Sequence, residues 1–303
     1  MKILVTGASG LLGSNTVTQA LRRNHSVVAL ANQFTMPARE NVEVVHADLK
    51  DPVPLERLML DHWPDVVVNA AAISQPDLVL EQPELAEAVN VNLPHRIAQL
   101  AHHIGALFVH ISSDMVFCGK REMPFHTTDL PEPTTPYGKQ KLRAEREVLE
   151  HCPDRPIVLR IPILTGNGIQ QNRSVHEKLL AAIAAGQRPK LFTNEIRQPT
   201  SATNVAELII DLAERNNLTG IFHWAGADVV TRAEMGQAIL GHFKLSPDLI
   251  EPVKCEDTER PLNLQLSMRP LVGKVKTQPR QLATQIKELT MPAALYPWYE
   301  SQF

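Results

Sequence analysis

The first thirteen residues constrain the fold more than any other stretch of the chain. Lys2-Ile3-Leu4-Val5-Thr6 is a short apolar, β-branched run, the pattern of a strand buried on both faces of a parallel sheet. Gly7-Ala8-Ser9-Gly10-Leu11-Leu12-Gly13 follows without a break, and then Leu12, Thr16, Val17, Ala20 and Leu21 fall on one side of a helix. Glycines at a strand-to-helix turn let the backbone approach a pyrophosphate, and the helix N-terminus stabilises the anion. The spacing is G-x-x-G-x-x-G rather than the commoner G-x-G-x-x-G. A plain glycine-rich turn is the bland reading; the strand before it and the helix after it favour a dinucleotide cradle.

The rest of the chain keeps the rhythm. Runs at Ser26 to Leu30, Val42 to Val45, Asp65 to Asn69, Leu107 to Ile111 and Ile157 to Arg160 read as further strands, and Pro83 to Ile104 and Pro136 to Glu150 as helices. Alternating strands and helices predict an α/β fold, a doubly wound parallel Rossmann sheet. Ligands on such sheets bind at the carboxyl ends of the strands, where Asp48, Asn69-Ala70-Ala71-Ala72, Ser112-Ser113 and Pro162 fall. The alanines leave room for a cofactor, or simply pack loop on helix.

Composition shifts after Leu164, where Thr165 to Arg173 is polar and contains glycine. The expected division is a dinucleotide-binding domain over 1-164, its sheet completed by about 200-226. Segments 165-199 and 227-303 then form a smaller C-terminal substrate-binding lobe. That lobe is expected to carry helices over Val175 to Ala185 and Thr231 to Phe243, while Asn204 to Asn216 and the strand Ile221 to Trp224 return to the sheet. The tail from Thr277 to Phe303 is expected on the surface, with Trp298 and Tyr299 as a local anchor.

The chemistry-bearing constellation is Tyr137-Gly138-Lys139-Gln140-Lys141, with Ser113 24 residues before the tyrosine. Positions i and i+4 share a helix face, so the phenol of Tyr137 and the ammonium of Lys141 are expected in one cleft. A cation beside a phenol lowers its pKa and makes it usable in proton transfer near neutral pH. Alone, such a pair is more often helix surface than catalytic.

Composition narrows the partners. With 30 basic and 33 acidic residues, a net charge of −3 and no basic block, nucleic acid and anionic membrane are not expected. No apolar run approaches the ~20 residues of a membrane span, and the first residues read as a strand rather than a signal peptide. Cys118, Cys152 and Cys255 match no zinc pattern and read as reduced thiols of a cytoplasmic protein. Among 12 histidines, the adjacent pair His102-His103 and the scattered His62, His110 and His126 show no ligand spacing, so no metal is expected.

These residues resemble the extended short-chain dehydrogenase/reductases over nearly the whole chain. The likeness lies in the glycine turn, Ala47-Asp48-Leu49, the Asn-Ala-Ala-Ala run, Val89-Asn90, Ser112-Ser113-Asp114 and the Tyr/Lys pair. Within that group the chain is most similar to sugar-nucleotide reductases of the dTDP-4-dehydrorhamnose reductase type. It also resembles their relative, the regulatory beta subunit of methionine adenosyltransferase. Ile111-Ser112-Ser113-Asp114-Met115-Val116-Phe117-Cys118-Gly119, Pro199-Thr200 and Arg260-Pro261 match the pattern both share.

The resemblance implies roles. Tyr137 would protonate a C4 ketone oxygen, Ser113 would hydrogen-bond it, and Lys141 would hold the nicotinamide ribose and tune Tyr137. Gly7, Ser9, Gly10, Leu11, Leu12, Gly13, Asp48, Leu49, Ala70 and Ala71 would line the cofactor. Asp114, Met115, Arg197 and Arg260 would face the substrate, the arginines holding a nucleotide diphosphate by their two-pronged donors; the bland alternative for each arginine is an ordinary salt bridge. Related dehydratases carry a glutamate at position 115 and related epimerase-reductases a cysteine. Met115 moves no proton, so simple ketone reduction is the chemistry left. A homodimer is implied as well.

Two features pull elsewhere. The segment Arg160-Ile161-Pro162-Ile163-Leu164 and Gly220-Ile221-Phe222-His223-Trp224 look like the regulatory subunit. The alternative is therefore a dinucleotide-binding regulatory subunit of a partner enzyme such as methionine adenosyltransferase. For the cofactor, an NAD site usually has an acid about 20 residues past the glycines. Here the second strand ends Ala31-Asn32-Gln33-Phe34 with none, while Arg22, Arg23 and Arg39 lie within reach in sequence, so NADP(H) is expected over NAD(H).

Overall fold

The computed structural model describes every residue except Gln33, Thr35, Leu49, Lys50, Gln171, Asn172, Asn216 and Thr258. Seven parallel strands form the central sheet: β1 Lys2–Thr6, β2 Ser26–Ala31, β3 Val42–His46, β4 Val66–Asn69, β5 Leu107–Ser113, β6 Pro156–Ile161 and β7 Gly220–His223. Their order is β3-β2-β1-β4-β5-β6-β7. The order reverses between β1 and β4, where such a sheet opens a crevice for ligand.

Alternation along each strand builds two cores. Ile3, Val5, Val27, Ala29, Val66, Val68, Val109 and Ile111 face Val17 and Ala20 of the Leu11–Arg22 helix and Val205, Leu208 and Ile209 of the Ala202–Glu214 helix. Leu4, Val28, Leu30, Val67, Phe108 and Val158 face the other way, onto Leu93, Ile97 and Ala101 of the Leu93–Ile104 helix and Val148 of the Pro136–His151 helix. Period 2 in the strands thus covers both faces with helices.

The helix expected over Pro83 to Ile104 is broken by a π-helical turn, Ala88–Asn92, between Pro83–Glu87 and Leu93–Ile104. Pro94 has no N–H to give to the preceding turn, so the helix widens there. The widening brings in Asn90, whose side chain accepts from the Ile73 amide at 2.9 Å and donates to the Ile73 carbonyl at 3.0 Å and to Gln140 at 2.9 Å. The loop after β4 is thereby tied to the Tyr137 helix.

A third apolar cluster gathers Leu180 of the Val175–Ala184 helix, Met235 and Ile239 of the Arg232–His242 helix, Ile250, Leu282 and Ile286. Ser174 and Thr231 start those two helices with capping boxes. The tail is not a surface appendage: Leu282, Ile286, Leu289 and Met291 are buried in that cluster. The wholly buried Gln285 bonds the Pro199 carbonyl at 3.0 Å and Thr165 at 3.0 Å. Tyr299 donates to the Phe243 carbonyl at 3.0 Å. No helix of the described residues is long and apolar enough to cross a membrane.

Candidate active site

The glycine turn sits at the switch point. Gly7 has a φ of 62°, and a Cβ there would lie 2.7 Å from the Ala71 nitrogen. Only glycine lets β1 and the loop after β4 meet so closely. Gly10 caps the Leu11–Arg22 helix without a side-chain bond, and its first turn holds no acid, so its N–H groups suit an anion. Ser9 and Leu12 are buried, Leu11, Ala70 and Ala71 partly so, and Asp48 is exposed. Leu49 lies outside the described residues. Of the arginines expected to favour a 2′-phosphate, Arg23 is committed to Asp211 at 2.8 Å and Glu214 at 2.7 Å. Arg39 donates to Thr18 at 3.0 Å, and the Arg173 guanidinium stands 5.9 Å from the Phe34 ring, just past β2.

Ser113 ends β5 and caps the short turn Asp114–Val116, its hydroxyl accepting from the Met115 amide at 3.2 Å and donating to Asp114 at 3.1 Å. Thr135 caps the Pro136–His151 helix by accepting from the Gly138 amide at 3.1 Å. A Cβ at Gly138 would fall 2.2 Å from the Met115 carbonyl oxygen. That contact seats the start of the helix, with Tyr137, on the turn that carries Ser113, Asp114 and Met115.

Burial raises the Tyr137 pKa above the usual range, and the Asp114 charge raises it further. This corrects the expectation of a phenol tuned downward by Lys141. The Lys141 ammonium is buried and turned into the sheet, donating to the Ile111 carbonyl at 2.6 Å and standing 3.3 Å from His110 Nε2. Burial lowers its pKa to about 8, against the opposing pull of Glu145. Burial likewise lifts Asp114 to about 6, although Arg197, Ser113 and the Met115 amide oppose it. Asp114 Oδ2 is buried without a hydrogen-bond partner among the described residues.

The two arginines have different surroundings. Arg197 is buried and donates to the carbonyls of Ile196 at 2.8 Å, Leu262 at 3.3 Å and Pro261 at 2.9 Å, and pairs with Glu195 at 2.8 Å. Arg260 is exposed and gives its Nε to Glu195 at 2.7 Å. Buried Glu195 therefore orients both, and its carbonyl takes the Arg232 amide at 3.0 Å.

Sequence reasoning missed Glu195, although it stands two residues before Arg197. It also missed a buried polar belt under the site. Glu145 accepts from both Nε and Nη2 of Arg160, at 2.9 and 2.6 Å, and from Ser112. Arg160 Nη1 reaches His223 Nε2 at 3.4 Å. His223 is pushed down to about 3 by burial and by Arg160. Spacing could not find these groups, because they meet across β5, β6 and β7. His95, Glu147 and His151 were missed too. They are half-buried on two helices, with one ligand-type atom from each within 4.8 Å of the others, and Glu147 pairs with His95 at 2.7 Å.

A family model described as the RmlD substrate binding domain matches residues 1–294. The protein named methionine adenosyltransferase 2 subunit beta in Mus musculus is 32% identical over 299 residues, 96% of this chain and 87% of its own length. A dTDP-4-dehydrorhamnose reductase from Clostridium acetobutylicum superposes with a TM-score of 0.79 at 25% identity, covering 95% of this chain and 98% of that one. The dTDP-4-dehydrorhamnose reductase of Bacillus anthracis, solved in complex with NADP, has a TM-score of 0.80 at 18% identity. That superposition covers 94% of this chain and 96% of the other, and it is a likeness of fold.

Proposed function

We propose, since the chain belongs to the RmlD substrate binding domain family, that it reduces the ketone of a nucleotide-linked 4-keto sugar, with NADP(H) as its dinucleotide. The glycine turn fits a dinucleotide: the close approach at Gly7 and the open first helical turn form the cradle that a pyrophosphate takes. Arg173, over the Phe34 ring just past β2, suits a 2′-phosphate. Bound there, the dinucleotide supplies the hydride.

The chain's own residues do the rest. Tyr137 stays protonated at neutral pH, because burial and Asp114 both disfavour its anion, and so it is an acid able to protonate the ketone oxygen. Ser113 hydrogen-bonds the same oxygen. Asp114 Oδ2 accepts a sugar hydroxyl, which gives a buried acceptor the partner it lacks. Arg260 binds the diphosphate, and Arg197 braces the loop that carries it. Met115 moves no proton, which leaves reduction without dehydration or epimerisation. The observation that carries this reading is the pairing of an acid-form phenol with an orphaned carboxylate oxygen on the turn beneath it.

A second reading, a dinucleotide-binding regulatory subunit, is favoured by two observations. Lys141 is turned into the sheet, and Arg197 spends its donors on carbonyls. Following NADPH absorbance with a panel of nucleotide-linked keto sugars separates the two. Turnover with one of them supports the reductase. No turnover, together with co-purification of a synthetase, supports the subunit.

A further inference from the structure

Two helices that cover one face of the sheet bring three metal-ligand side chains together away from the glycine turn. His95 lies in the first turn of the Leu93–Ile104 helix, and Glu147 and His151 lie near the end of the Pro136–His151 helix. Glu147 and His151 are an i, i+4 pair and share a helix face. His95 is 52 residues from Glu147 and comes from the facing helix. Leu93, Ile97 and Ala101 pack with Val148 and Cys152 in the core beneath them, which fixes both backbones where the three side chains emerge.

The two imidazoles converge on one oxygen. Glu147 Oε2 lies 2.7 Å from His95 Nδ1 and 3.6 Å from His151 Nδ1. The rings stand edge to face with centroids 4.3 Å apart, and one ligand-type atom from each of the three residues lies within 4.8 Å of the others. Donors about 2.0–2.2 Å from a single tetrahedral ion stand roughly 3.3–3.6 Å from one another, so small side-chain rotations bring all three onto one centre. The His95, Glu147 and His151 side chains are 32%, 36% and 27% exposed, open enough for an ion to enter and for water to complete its shell. Magnesium and calcium prefer shells of oxygen, whereas two imidazole nitrogens and a carboxylate suit zinc and its neighbours nickel and cobalt. The bland alternative is a surface His–Glu pair, of little weight in stability. Such a pair needs one histidine; here a second closes on the same oxygen. His151 Nδ1 also lies 3.0 Å from the Glu147 carbonyl oxygen, and a metal on that nitrogen replaces the proton it offers there.

We propose that His95, Glu147 and His151 form a site for a divalent transition-metal ion, Zn2+ above all, that clips the Leu93–Ile104 helix to the Pro136–His151 helix. Spacing in sequence predicts no metal here, because His95 joins the other two only through the fold. Glu147 stands 10 residues past Tyr137, about 15 Å along the helix. The ion is therefore remote from the proposed reduction, and the claim does not rest on it. Three protein ligands leave the fourth position to water.

The test uses full-length protein without a histidine tag, stripped of metal with EDTA. Zn2+ affinity is measured by competition with a chromogenic chelator, beside thermal melts with and without Zn2+. One Zn2+ per chain is expected, and at 100 times Kd the melting temperature should rise by about 4 °C. His95→Ala, Glu147→Gln and His151→Ala should each weaken binding at least ~10-fold and lose that rise. A double variant, His102→Ala with His103→Ala, alters the same helix as His95 outside the cluster and should bind as wild type does. Glu147→Gln keeps the shape of the side chain, so it decides the matter even should an alanine variant not fold. A wild type that takes up no Zn2+, an affinity in Glu147→Gln equal to that of wild type, or loss of binding in the His102/His103 variant overturns the proposal.

Discussion

Asp114 is an acid that the fold makes more basic. Its carboxyl rises from an ordinary 3.8 to about 6 because burial disfavours the anion. The folded state therefore holds a proton more tightly than the unfolded chain. The stability this contributes is present below about pH 4 and is lost as pH rises through about 6. An asparagine in its place would mimic the neutral form at every pH. Denaturant titrations of Asp114→Asn should match wild type near pH 4 and exceed it near pH 8, by on the order of 2 kcal/mol. The two arginines should also part company. Arg197→Ala leaves Glu195 buried without one partner and should destabilise by about 2–4 kcal/mol. Arg260→Ala should raise KM for the nucleotide sugar about tenfold with little loss of stability, read by steady-state kinetics beside thermal melts. Tyr137, Ser113 and the glycines were legible as motifs because their partners are near in sequence or fixed by the fold. The setting of Arg197 was not, since the carbonyls it serves include Pro261 and Leu262, 64 and 65 residues away.

At the scale of elements, the Pro136–His151 helix is fastened at both ends of its active half. Gly138 seats it on the Asp114–Val116 turn, and Glu145 joins it to β6 through Arg160. Both members of that ion pair are 1% exposed, so removing either charge strands the other in low dielectric. Glu145→Gln should cost about 3–5 kcal/mol, while Glu145→Leu with Arg160→Met should recover most of it. Denaturation midpoints of wild type and the two variants check this. The helix itself was plain from its proline start and apolar face. The π-helical turn at Ala88–Asn92 was not, because its cause is a single missing N–H at Pro94 and its benefit lies in contacts that Asn90 makes elsewhere. The tail misled for a similar reason: Leu282 and Ile286 look like any short amphipathic turn until the Arg232–His242 helix meets them.

For the whole molecule, the switch point sets where the sheet opens a crevice for a ligand. Strand order β3-β2-β1-β4-β5-β6-β7 puts Thr6 beside Asn69, Gly7 against Ala70 and Ala71, and Ser113 two strands from β1. That much followed from apolar runs spaced by helices, since a parallel sheet needs its strands buried on both faces. The candidate arginines for a 2′-phosphate could not be sorted from sequence, since Arg23 is tied to Asp211 and Glu214 across the fold. A lower KM for NADPH than for NADH, by roughly tenfold, is the expected outcome when one substrate is measured with both cofactors. The most direct test compares wild type with Tyr137→Phe, reading kcat for a nucleotide-linked 4-keto sugar beside the Kd for NADPH. A fall in kcat of at least ~10²-fold with Kd unchanged is the predicted result; a phenylalanine variant that turns over as fast as wild type would contradict it.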